Sequence, residues 1–134
     1  MSKLMKIEGI GEVMAGKLKD AGINSIDALL HQGSSAQGRK AIAERASISE
    51  KNVLEWVNHA DLIRIKGVGG QYADLLEEAG VDTVAELAQR NPDILHKKLQ
   101  VVNQEKKLVR RLPASFQVRR WVDQAEKLPR IISY

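Results

Sequence analysis

Two short segments carry glycines at a spacing that suits anion binding. Ile7-Glu8-Gly9-Ile10-Gly11-Glu12 and Ile65-Lys66-Gly67-Val68-Gly69-Gly70 each set two glycines around one apolar residue. Glycine admits positive φ and lets another backbone approach closely. Where a helix starts after such a turn, its first N–H groups lack intrahelical partners and lie at the positive end of the helix. A phosphate fits such a place without any base being read. The second feature that could do chemistry is a set of paired bases: Lys97-Lys98, Lys106-Lys107, Arg110-Arg111 and Arg119-Arg120. If 106–111 is helical, Lys106/Arg110 and Lys107/Arg111 are i,i+4 neighbours and form a stripe that could track a phosphate backbone.

Other chemistries find little support. The 134 residues include no cysteine, which excludes a disulfide scaffold, a thiolate metal site and a cysteine nucleophile. His31, His59 and His96 are widely separated, and no Ser/His/Asp set or Gly-Lys-Ser/Thr loop occurs. Neither catalytic residues, nor a metal, nor a cofactor is expected. Five aromatic residues are too few for a stacking platform on single strands or RNA. Trp56 and Trp121, flanked by valines, are expected in the core. No apolar run nears the ~20 residues of a membrane helix. Met1–Lys6 carries no apolar signal stretch, so a cytoplasmic protein is expected.

The elements that must position these residues come from an internal repeat. Ile7–Leu30 and Ile65–Ala88 align without gaps at an offset of 58, with Gly9/Gly67, Gly11/Gly69, Leu18/Leu76 and Gly22/Gly80 identical. Downstream, Val53, Trp56 and Val57 match Val118, Trp121 and Val122 at an offset of 65. Two related units are expected, 1–64 and 65–134, the second with a seven-residue insertion in a longer basic helix before Pro113.

Nothing alternates like a strand, and helix punctuation is frequent. Helices are expected over about 12–21 and 71–79, each stopped by a glycine, Gly22 or Gly80. Further helices start at Asn24 or Ser25, at about Gln37, at Asp82 or Thr83 and after Asn91-Pro92. Ser47-Ile-Ser-Glu50 has capping-box spacing and opens a helix running towards Ile65. The helix from Asn91 is expected to reach Leu112, with Pro113 starting the last one.

The pattern apolar-x-Gly-apolar-Gly-x-x-x-Ala-x-x-Leu-x-x-Ala-Gly, at Ile7–Gly22 and Ile65–Gly80, resembles the helix-hairpin-helix motif. Two such units in tandem look like the fold shared by DNA-repair and recombination accessory domains and by the C-terminal domain of the RNA polymerase α subunit. The full length is similar to an uncharacterised bacterial family of paired helix-hairpin-helix domains of unknown function. The resemblance implies an all-α, SAM-like fold: two four-to-five-helix units packed as one compact body with approximate two-fold symmetry. It also implies DNA-phosphate contacts at Gly9, Ile10 and Gly11 and at Gly67, Val68 and Gly69, with Ile10 and Val68 anchoring the turns.

The sequence departs from that pattern at one point. DNA-gripping members carry Lys or Arg shortly after the second glycine, whereas here Gly11 precedes Glu12 and Gly69 precedes Gly70. Glu12 at a helix start repels phosphate. The second turn, with Lys66 and Gly70 in place of Glu8 and Glu12, is the better candidate. Charge is also divided: residues 66–95 hold two bases and six acids, residues 96–130 ten bases and three acids. Double-stranded DNA binding without sequence preference is expected, through the turns and a basic face of Lys97, Lys98, Lys106, Lys107, Arg110, Arg111, Arg119 and Arg120. The competing reading is a protein-interaction module in which the turns are structural and the opposite charges drive docking or self-association.

Overall fold

The computed structural model describes residues 3–134. Among them a 3₁₀ helix, Lys3–Lys6, precedes eight α-helices: α1 Glu12–Asp20, α2 Ile26–Gln32, α3 Ala36–Ala46, α4 Glu50–Leu62, α5 Gly70–Glu78, α6 Val84–Ala88, α7 Pro92–Lys106 and α8 Ser115–Lys127. No strand occurs among the described residues, and the expected all-α class is observed. No helix is long and apolar enough to cross a membrane, again among the described residues. The chain divides into two compact units, Met1–Asp61 with Ile131–Tyr134, and Leu62–Arg130.

The repeat at offset 58 is present in the backbone, bond for bond. Gly9 and Gly67 have φ of +93° and +95°, and Gly22 and Gly80 have +89° and +92°. Ile10 N–H donates to the Ile7 carbonyl at 3.1 Å, as Val68 does to Ile65. At the helix ends Gly22 N–H reaches Lys19 O and Ile23 N–H reaches Leu18 O. Gly80 reaches Glu77 and Val81 reaches Leu76 in the same way. Both are Schellman closures, in which a left-handed glycine satisfies the last carbonyls. The two glycines of each turn, however, do different work. Only the first is left-handed. Gly11 and Gly69 cap their helices in extended conformation, φ −94° and −98°.

Elsewhere side chains cap the helices. Ser25, Ser35 and Thr83 accept from the N–H three residues on, and Asn91 accepts from Asp93 and Ile94. Each such cap contributes ~1 kcal/mol. The expected box at Ser47 does not form. Ser47 takes a left-handed conformation, φ +56°, and closes α3. Ser49 instead caps α4, its Oγ accepting from Asn52 N–H at 3.1 Å.

In the second unit Leu75 and Leu76 of α5, Leu87 of α6, Leu95 and Leu99 of α7, and Val118 and Trp121 of α8 form one buried cluster. In the first unit Leu18, Leu29, Ile42, Val53 and Trp56 are buried. Its terminal residues 131–134 are held by Arg39, whose buried guanidinium donates to Gly33 O and Ser133 O at 2.9 Å each.

The main departure from expectation is the end of α7. The helix stops at Lys106 rather than Leu112, with Lys107 left-handed at φ +51°. Residues 107–112 are therefore outside it, and the expected Lys106/Arg110 and Lys107/Arg111 stripe does not exist. The last helix begins at Ser115, not at Pro113.

The geometry separates the glycines experimentally. A Cβ at Gly9 or Gly67 meets a Trp Nε1 at 3.1 or 3.0 Å and needs a strained φ, whereas a Cβ at Gly11 or Gly69 meets nothing within 4 Å. Gly67→Ala should cost ~1–3 kcal/mol. Gly69→Ala should change stability by less than ~1 kcal/mol. Urea denaturation midpoints check both.

Candidate functional site

The second turn forms one wall of a cleft of about 460 Å³. Gly67, Gly69, Gly70, Gln71 and Tyr72 line it from the turn and the start of α5; Val109, Arg110 and Arg111 line it from the far side. No side chain caps α5 and no acidic residue lies in its first turn. The first N–H groups of α5 therefore have no intrahelical partner. The bases missing after Gly69 in the sequence are supplied by a segment some forty residues downstream.

That segment, 107–114, is irregular but held at each step. Asn103, half-buried on α7, clamps Val109 from both sides. Its Nδ2 donates to Val109 O at 3.1 Å and its Oδ1 accepts from Val109 N–H at 3.0 Å. Tyr72 donates its hydroxyl to Arg111 O at 2.9 Å. His96 donates from Nε2 to Pro113 O at 3.0 Å, and Gln117 Oε1 accepts from Ala114 N–H at 2.7 Å. Leu108, Val109 and Leu112 pack on the core, while Arg110 and Arg111 are exposed. The packing of Leu108, Val109 and Leu112 leaves the pair Arg110-Arg111 outside the core, and with Val109 they line the cleft.

A second, smaller cleft of about 290 Å³ shares Gly67. Lys66, Gln117, Arg120, Trp121 and Gln124 complete it. Gln124 grips the Lys66 peptide, accepting from its N–H at 2.9 Å and donating to its carbonyl at 3.3 Å. The Arg120 guanidinium lies 5.2 Å from the centre of the exposed Phe116 ring, at cation–π distance. Trp121 itself is 2% exposed, as expected of a core residue, so it contributes an edge and not a stacking face.

The bases expected to make one face lie on several elements. Arg110 and Arg111 line the first cleft, and Lys66 and Arg120 the second. Lys97 and Lys98 are exposed on α7, between exposed Ile94 and Val101. Lys107 is exposed at the end of that helix. Arg119 is 3.4 Å from Asp93, and Lys106 is paired with Glu78. The hydrogen bond that Lys106 donates to Glu78, followed by that carboxylate's charge, raises the pKa of the Lys106 ammonium above its ordinary value.

The first turn has the same backbone without these surroundings. Gly11 caps α1 with no side chain, but Glu12 occupies the first turn of that helix and Glu8 is exposed beside it. Gly9, Ile10 and Gly11 hold the expected turn, with Ile10 buried at 4% exposure, as is Val68 in its twin.

Tyr72 and Gln124 were not singled out by sequence. Each does stand where the repeat breaks: Tyr72 at the position of Met14, Gln124 at that of His59. Among the described residues no group of three or more His, Asp or Glu is placed to hold a metal ion.

A protein-family model, described as Domain of unknown function (DUF4332), matches residues 8–128. The chain belongs to this family. No curated protein and no solved structure matches it. The DUF4332 match spans both glycine turns and ends just after α8.

Two measurements check this geometry. Asn103→Ala removes both bonds to Val109 and should lower stability by ~1–3 kcal/mol. It should also speed amide hydrogen exchange at Val109 relative to α5. The Lys106 shift is upward, so the pairing contributes below the ordinary lysine pKa near ~10.4 and is lost as pH rises through the raised value. Glu78→Gln should therefore move the NMR titration of Lys106 downward.

Proposed function

We propose that this DUF4332 protein is a non-enzymatic binder of double-stranded DNA that holds the backbone without reading sequence. In this reading the second glycine turn is a helix-hairpin-helix phosphate site. Its amides and the Arg110 and Arg111 guanidiniums embrace one phosphate, and Lys66 and Arg120 flank the neighbouring one. The observation that carries the reading is the shared cleft of Gly67, Gly69, Gly70, Arg110 and Arg111. It answers the objection raised by the sequence, the absence of a base after Gly69. Open space at Gly69 supports it too, because a backbone with no Cβ in the way admits a phosphate oxygen. Helix-start amides with guanidiniums favour anions without distinguishing bases, since phosphate contacts position and base contacts specify.

The first turn is structural in this reading. Glu8 and Glu12 set negative charge where a phosphate would approach. The alternative, an adaptor whose charged segments dock a protein or a second copy, draws on the ion pairs Lys106–Glu78 and Arg119–Asp93. Both form within the second unit and so already satisfy part of the charge that would drive docking. DNA is therefore the favoured partner.

Fluorescence anisotropy with duplex DNA at several salt concentrations tests the proposal. Wild type should bind at low salt, with a logarithmic salt slope of ~0.9 per phosphate neutralised. Gly69→Val fills the cleft and Arg110→Gln/Arg111→Gln removes its charge. Each should weaken binding about tenfold or more, the latter also lowering the slope by ~1–2. Gly11→Val should change nothing. Absence of duplex binding at low salt, or survival of binding in both cleft variants with their folds intact, overturns it.

A further inference from the structure

The first cleft is larger than one backbone phosphate needs. Its volume of about 460 Å³ lies within the range of small-ligand sites, roughly 300–1,000 Å³. Its two walls are joined by a hydrogen bond. Tyr72 and Arg111 line opposite walls, and the hydroxyl of Tyr72 bonds the carbonyl of Arg111 at 2.9 Å. The Asn103 clamp on Val109 keeps the arginine wall in place behind that bond. A phosphate in mid-strand has a sugar on both sides and must lie along an open groove. A terminal phosphate enters from one side only, with its nucleoside trailing outward.

Charge points the same way. A phosphomonoester carries about −1.5 to −2 at neutral pH and three acceptor oxygens, where a backbone diester carries one charge and two free oxygens. Two adjacent guanidiniums match the greater charge, since each adds a charge-assisted pair to an oxygen. Beyond them the wall offers the ring of Tyr72, half-buried and 5.3 Å from Trp121 between ring centres, as an apolar surface for a sugar or base.

From this geometry we infer that the cleft of Gly67–Tyr72 and Val109–Arg111 takes a terminal nucleoside phosphomonoester. The source is either a 5′-phosphorylated DNA end or a free mononucleotide. The inference rests on the cleft being the phosphate site of the proposal above. It adds a preference that a purely backbone-tracking protein would not have. Tyr72 acts here as a positioning residue, holding the arginine wall through the Arg111 carbonyl.

The test compares the protein's affinity for two duplexes, identical except for 5′-phosphate or 5′-hydroxyl ends, with deoxyadenosine 5′-monophosphate as competitor. A 5′-phosphate preference of about tenfold, abolished in Arg110→Gln/Arg111→Gln, supports a DNA end as source. The preference should fade as pH falls through ~6, where the monoester takes up its second proton. Tyr72→Phe should reduce the 5′-phosphate preference, with thermal unfolding as the control for folding. Saturable binding of the mononucleotide without duplex binding supports a free nucleotide as source and overturns the DNA reading alone. Equal affinity for the two duplexes with no competition by the mononucleotide overturns the inference and leaves DNA binding standing. Binding of none of these probes overturns both.

Discussion

The contact between a left-handed glycine and the edge of a tryptophan governs each unit. At Gly9 and at Gly67 the backbone lies so close to an indole Nε1 that an added Cβ would sit 3.1 or 3.0 Å from it. Both φ values are near +94°, outside the comfortable range of any L side chain. The turn is consequently pressed onto the last helix of its unit, α4 or α8. The direction of the following helix, and where its first N–H groups point, is then set. The constraint also links two parts of the sequence that align at different offsets, 58 at the glycine and 65 at the tryptophan. Any insertion between them must return the indole to the same place.

That requirement explains where the extra residues go. Two residues, 48–49, join the left-handed Ser47 to α4; seven, 108–114, join the left-handed Lys107 to α8. Most of the insertion is thus a loop between the third and fourth α-helices of the unit. Its apolar residues Leu108, Val109 and Leu112 pack against the core, which leaves Arg110 and Arg111 outward and beside the turn. The strong positive charge of 96–130 is not one helical stripe, because α7 ends at Lys106. Part is answered locally by Glu78 and Asp93, and part is concentrated on the second turn. Position, more than total charge, makes this turn differ from its twin.

The repeat, the glycine caps and most helix starts were legible because they depend on local chemistry. Gly22 and Gly80 must be left-handed to close their helices, and Asn91-Pro92 can hardly do anything but begin one. The end of α7 was not legible. Lys107-Leu108-Val109-Arg110-Arg111-Leu112 contains no glycine or proline, and Pro113 restricts only the residue before it. What accompanies its end is a set of side-chain contacts: the clamp of Asn103 on Val109, the Tyr72 hydroxyl on the Arg111 carbonyl and the packing of Leu108 and Leu112, none visible in a helical period. Ser47 misled for a related reason. Capping-box spacing marks a serine able to cap, but the left-handed close of α3 claimed that residue, and Ser49 took its place.

The same distinction sharpens what the second glycine of each turn means. Sequence reads Gly9-Ile10-Gly11 and Gly67-Val68-Gly69 as one conformational signature. Structure gives only Gly9 and Gly67 a conformational need for glycine. Gly11 and Gly69 adopt a backbone open to any residue, have open space where a Cβ would go, and cap helices less well than serine or asparagine would. Folding alone gives no reason for glycine there in both copies. A bare backbone beside unpaired N–H groups does suit an external acceptor, and in the second unit Arg110 and Arg111 stand beside it to favour an anion. In the first, Glu12 occupies the helix start and complements the dipole from within the chain. One backbone repeated twice therefore leads to a helix start neutralised by its own side chain in the first unit. In the second it leads to a helix start with neither a side-chain cap nor an acidic residue in its first turn.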